Sequence, residues 1–177
     1  MLGTEYLLED LCSHPEIEEI VEDGATFAEN ARLKAVAVSQ RLSGLVLADD
    51  SGLEVDSLGG NPGVRSARFA GERATDAENR AKLLRELAKL PEGTSRAARF
   101  RCVLALAHSG EVVATFEGLV EGEIAATERG TGGFGYDPLF RPRGRKETFA
   151  EISPKEKDRM SHRGAALEHL RLFFRTL

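Results

Sequence analysis

Two carboxylates stand side by side in Asp49-Asp50-Ser51-Gly52, directly behind the apolar run Leu45-Val46-Leu47-Ala48. That run follows Gly44 and reads as a buried strand. Carboxylates at its end would lie at the C-terminal edge of a sheet, where α/β proteins gather ligands. Such a pair suits phosphoryl transfer, which needs charge neutralisation, a positioned water and in-line geometry. One carboxylate can hold Mg²⁺ against phosphate oxygens. The other can orient or deprotonate the attacking water. The same four residues also make good turn or helix-cap chemistry. Glu22-Asp23-Gly24 can add a metal ligand or form an exposed acidic turn.

Three further groups carry chemical potential. The loop from Gly130 to Pro138 sets Phe134 and Tyr136 among glycines, which let backbone approach a ligand closely. It matches neither a Walker A loop nor a dinucleotide fingerprint. An aromatic there can stack on a base and Asp137 can accept a hydrogen from a ring nitrogen, or Phe134 can simply pack into the core. Ser161-His162-Arg163-Gly164 reads as a helix start, with Ser161 as cap and exposed backbone N–H groups that attract anions. Lys157 lies one turn upstream. Lys34 sits about one residue off the apolar stripe of its helix, where it can reach a phosphate or face solvent.

The elements that must position these residues are marked by caps and periodicity. Thr26 and Glu29 form a capping box ahead of Phe27, Ala31, Ala35, Val38 and Leu42, predicting an amphipathic helix over 26–43. Residues 53–58 read as a further short strand and 59–63 as a loop. Thr75 and Glu78 open a second helix, closed by Pro91 and Gly93. Residues 99–107 alternate, Ser109-Gly110 is a hairpin signal, and 112–120 reads as the return strand. Residues 121–126 can add a third antiparallel strand. Ser153-Pro154-Lys155-Glu156 is another capping box with proline at the first helical position. The last helix carries Ala166, Leu170, Phe173 and Leu177 on one stripe. This order predicts an α/β fold with a central mixed sheet flanked by helices.

Bulk properties narrow the class. At 177 residues the length prior predicts one domain, with 41% hydrophobic and 30% charged residues as in ordinary globular proteins. Cys12 and Cys102 are far apart and lack histidine neighbours at metal-ligand spacing, which disfavours a disulfide framework or zinc site. A net charge of −5 argues against a nucleic-acid polymer as partner. No apolar run reaches membrane-spanning length and the first residues lack the signal-peptide pattern, so the expectation is a cytoplasmic protein.

Together the segments are far more specific than any one. TFAENARLKA at 26–35, LADDSGL at 47–53, LGGNPGVRSAR at 58–68, GTGGFGYDPLF at 130–140 and EKDRMSHRGAAL at 156–167 occur in one order. The chain thereby resembles the inosine/xanthosine triphosphate pyrophosphatase family from about residue 20 onward. The resemblance implies an elongated, two-lobed α/β fold over 1–177, with the cleft between the lobes. It implies a homodimer and Mg²⁺-dependent hydrolysis of ITP, dITP and XTP to the monophosphate and pyrophosphate. By position, Asp50 resembles the general base and metal-associated aspartate, Asp49 its acidic partner, and Glu22 a metal-associated carboxylate. Ser51 resembles a substrate contact and Lys34 the lysine that reaches the phosphates. Phe134, Gly135, Tyr136, Asp137, Lys157, His162 and Arg163 resemble the base-recognition set.

One departure stands out. The family opens with a buried strand and a Ser/Thr-x-Asn-x-x-Lys motif, whereas residues 1–19 contain neither that motif nor any lysine. Tyr6 to Leu11 looks like the segment after the family's first helix. The expectation is a sheet short of one strand and a phosphate site short of its cradle. A start assigned too far downstream is one explanation. The other is a shortened chain that binds purine nucleotides without turnover.

Overall fold

The computed structural model describes residues 7–18 and 20–176. Tyr6 and Leu177, named above in the N-terminal segment and the last stripe, lie outside the described residues. Among the described residues four α-helices and four strands follow in the order α1 (Phe27–Ser39), β1 (Leu45–Val55), α2 (Asp76–Ala88), β2 (Ala97–His108), β3 (Glu111–Ile124), β4 (Phe140–Pro142), α3 (Pro154–Met160) and α4 (His162–Phe174).

Both predicted capping boxes on α1 and α2 form, with Thr26 accepting from the Glu29 N–H and Thr75 from the Glu78 N–H. Ser153 caps α3 by accepting from Glu156, and Ser161 caps α4 by accepting from Gly164. Each cap satisfies an N–H that the first helical turn leaves without a backbone partner.

The sheet runs β1-β2-β3-β4 and all three pairings are antiparallel. Among the described strands the sheet is therefore antiparallel rather than mixed: β2 and β3 form a hairpin, while the segment carrying α2 returns the chain from β1 to β2 and a long loop returns it from β3 to β4. Residues 121–126 do not make a separate strand; β3 continues unbroken to Ile124.

β1 runs further than its apolar start predicts. Asp49, Asp50, Ser51 and Gly52 are not a turn at a strand end but the middle of an eleven-residue strand. Every residue from Leu45 to Val55 has a partner on β2, from His108 back to Ala98. The predicted strand at 53–58 is the end of β1 followed by a 3-10 turn at Asp56–Leu58. Gly52 serves close packing here: a Cβ on it would lie 2.5 Å from Ser66 Oγ and 2.8 Å from the Phe27 ring.

The two faces of the sheet carry different cores. On one, Phe27, Ala31 and Ala35 of α1 pack on Val103, Ala105 and Ala107 of β2. On the other, Ala166 and Leu170 of α4 pack on Cys102, Leu104, Leu106 and Phe116. A cluster beside it joins Leu53, Phe100, Leu83 of α2 and Tyr136, Phe140 and Phe149 of the long return after β3. Gly118 sets how closely α4 seats, since a Cβ there would fall 1.9 Å from the His162 carbonyl oxygen.

Candidate active site

Successive strand side chains point to opposite faces, so Asp49 and Asp50 part company. Asp50 faces α1, and its carboxylate accepts from Asn30 Nδ2 at 3.1 Å. The Lys34 ammonium lies 3.6 Å from Asp50 and 3.2 Å from Glu22. Three of the predicted residues thus meet, with Lys34 between two carboxylates. Helical spacing explains it: Phe27, Asn30, Ala31, Lys34 and Ala35 share one face of α1, so Asn30 and Lys34 extend the buried stripe rather than flank it.

Asn30 was missed as a candidate. It is fully buried, and its Oδ1 accepts the Gly24 N–H at 2.8 Å. One side chain therefore ties the backbone two residues after Glu22 to the Asp50 carboxylate. Its place between Phe27 and Ala31 on the helix face is visible in the sequence, but its partner across the fold is not. Burial raises the Asp50 pKa above the ordinary carboxylate range, against the opposing pull of Asn30 and Lys34.

Glu22 and Asp50 offer hard oxygen donors around a spot that already holds a positive charge. Mg²⁺ binds through one or two carboxylates plus waters and phosphate oxygens, so the donor set fits. Among the described residues no three His, Cys, Asp or Glu side chains converge as a closed cage. An open site completed by substrate oxygens is the arrangement these two carboxylates can build.

Asp49 faces α4. Its Oδ2 accepts from Arg163 Nε at 3.0 Å, from Arg163 Nη2 at 2.7 Å and from Ser51 Oγ at 3.2 Å. Arg163 also lies 6.0 Å from the centre of the Phe134 ring, and Lys157 Nζ lies 4.4 Å from it. Lys157 pairs with the buried Asp137 carboxylate, which also accepts the Phe134 N–H at 2.8 Å. Phe134 is nevertheless 61% exposed. An exposed aromatic ring with two cations over it can serve a flat, electron-rich ligand.

Three expected base-site residues sit differently from a direct contact. His162 is buried and stacked on Phe100 at 4.8 Å between ring centres, with Nδ1 lacking a hydrogen-bond partner. Burial first, then the Arg163 and Lys157 charges, pushes its pKa down to about 3. The Tyr136 hydroxyl points inward and donates to the Ser66 carbonyl at 2.9 Å, and burial pushes its pKa up. Gly135 donates its N–H to Asp76 at 2.6 Å and accepts from Arg80 at 2.8 Å.

The two clusters meet at one peptide. Asp49 belongs to the aromatic–cation side and Asp50 to the carboxylate–lysine side, with Cα atoms about 3.8 Å apart across a trans peptide. β1 lies at the end of the sheet and pairs only with β2 among the described strands. The α/β fold thus sets an aromatic ring with two cations on one side of β1 and a lysine between two carboxylates on the other.

The chain belongs to the Ham1 family, whose model matches residues 1–173. It is 53% identical over 163 residues to the dITP/XTP pyrophosphatase of Geobacillus kaustophilus, spanning 92% of this chain and 79% of that protein. It is 52% identical over 153 residues to the dITP/XTP pyrophosphatase of Bacillus subtilis, spanning 86% and 77%. Among solved structures, the Ham1 protein of Staphylococcus aureus superposes with a TM-score of 0.91 at 39% identity, covering 99% of this chain and 90% of that one. A HAM1 protein from Coxiella burnetii gives 0.87 at 43% identity, covering 92% and 83%.

Proposed function

We propose that this chain hydrolyses non-standard purine nucleoside triphosphates (dITP, ITP and XTP) to the monophosphate and pyrophosphate. The observation that carries this is the meeting of two unlike clusters across Asp49-Asp50: an open ring with two cations, and a lysine between two carboxylates. The first suits a purine and the second a polyphosphate.

The division of labour follows from the contacts. Phe134 stacks the purine, and Lys157 and Arg163 supply donors near its edge. Hypoxanthine and xanthine carry a keto oxygen at C6, which such donors satisfy. Adenine would set its amino group against them, and sites built on such hydrogen bonds discriminate by roughly 10⁴ or more. Lys34 neutralises phosphate charge. Asp50, held by Asn30, takes a proton from the water that opens the α–β anhydride bond. Glu22 and Asp50 are the residues that would hold a divalent cation, Mg²⁺ in our reading. Bound there, it would neutralise charge on the phosphates and the departing pyrophosphate.

Two further readings belong with this proposal. Among the described residues no helix is long and apolar enough to cross a membrane, and we take the site of action to be the cytoplasm. A homodimer is the proposed assembly, checked by light scattering of the purified chain. The function itself is tested by supplying dITP and Mg²⁺ and identifying products. Equal release of dIMP and pyrophosphate supports it, and release of orthophosphate with dIDP contradicts it.

A further inference from the structure

The glycine loop is gripped by a helix that lies outside both clusters. Asp76, in the first turn of α2, accepts the Gly135 N–H at 2.6 Å. Arg80, one turn further on the same helix face, donates Nη1 to the Gly135 carbonyl at 2.8 Å. The Arg80 side chain is only 15% exposed, and its guanidinium lies 3.0 Å from Glu128, just before the loop. Both backbone polar atoms of Gly135 are thus engaged by α2, and the Phe134 N–H is engaged by Asp137. What these two residues offer a ligand is the exposed Phe134 ring. Gly135 has φ 58°, a backbone region where L side chains are strained, and a fixed partner on each side defines that conformation.

We infer that Asp76 and Arg80 are positioning residues for base recognition. By holding the Gly135 peptide groups they fix the height and tilt of the Phe134 ring against Lys157 and Arg163. They touch neither the purine nor the phosphates. The inference rests on the reading of Phe134 as the purine seat.

The test separates the two halves of the ligand. Arg80→Ala, Arg80→Lys and Asp76→Ala are each compared with the unchanged protein and with Phe134→Ala. The expected result is that Arg80→Ala raises KM for dITP about tenfold, the loss of one charge-assisted hydrogen bond. It leaves kcat and the acidic limb of the pH profile unchanged. Affinity for IMP falls in step with the change in KM, while inhibition by pyrophosphate, which carries no base, stays the same. Arg80→Lys recovers part of the loss, and Asp76→Ala shifts KM the same way as Arg80→Ala. Equal weakening of IMP and pyrophosphate, together with a lowered melting temperature, would mean a general structural role and overturn the inference. Unchanged KM in Arg80→Ala and Asp76→Ala, with KM raised in Phe134→Ala, overturns the clamp but keeps the purine seat. Unchanged KM in Phe134→Ala removes the purine seat, and the clamp with it.

Discussion

Asp50 works at a disadvantage that the fold imposes on it. Burial disfavours its charged form, while the Asn30 amide and the Lys34 ammonium favour it. A base must be deprotonated to accept a proton, so turnover should rise with pH along an acidic limb that Asp50 sets. Asn30→Ala removes one stabilising contact and should move that limb to higher pH. A pH–rate profile of the variant checks this, and an unmoved limb would show that Asn30 does not act on Asp50. His162 gives a second pH effect of opposite kind. Its folded pKa is depressed to about 3 from an ordinary 6.5. Between those values the unfolded chain binds a proton that the folded chain does not. Stability from this residue is therefore present above about 6.5 and lost as pH falls toward 3. Urea midpoints measured from pH 7 to pH 4 should fall less in His162→Phe than in the parent, whereas parallel curves would count against a buried neutral imidazole. At this scale the sequence was informative about residue types and less so about direction. Glu22, Lys34 and Asp50 were each legible as candidates, and the family resemblance, not their spacing, joined them. Asn30 was not, because a buried amide among Phe27, Ala31 and Ala35 resembles any helix polar residue until its partner across the fold is known.

Elements place these residues through a few close approaches. α4 brings Arg163 to Asp49 only because Gly118 lets the helix start rest on β3. Gly118→Ala would push a methyl group into the His162 carbonyl, and overpacking of this kind costs about 1–3 kcal/mol. A lower urea midpoint together with a raised KM for dITP is expected; full stability would contradict the tight seat. The helices were readable because their caps are local chemistry: Thr26 with Glu29, Thr75 with Glu78, and Ser161 with Gly164. The strands were harder. Asp49-Asp50-Ser51-Gly52 has every local mark of a turn, yet β2 supplies an unbroken line of partners from Ala98 to His108 and the chain stays extended. Long-range pairing overrode local preference there. The three residues of β4 are too few to leave a periodic signal, and their pairing with Gly122 to Ile124 is likewise non-local.

The whole molecule joins two chemistries across one strand. The α1 face carries Glu22, Lys34 and Asp50, and the α4 face carries Asp49, Arg163, Lys157 and Phe134. This division follows from the pleat of β1, which the turn-like composition of Asp49-Asp50-Ser51-Gly52 conceals in the sequence. The class of fold and the order of the motifs were legible along the chain, since helix caps and apolar periods mark them. The partition of the site between two sheet faces was not, because it depends on how far β1 extends. The central claim is that Asp50 activates water against a purine triphosphate held across this strand. Its most direct test is pyrophosphate release from dITP with Mg²⁺ by the unchanged protein and by Asp50→Asn. Equimolar dIMP and pyrophosphate are expected from the former. The variant should lose at least about 10²-fold in kcat, with thermal stability retained. Near-normal turnover in the variant, or no pyrophosphate from the unchanged protein, would contradict it.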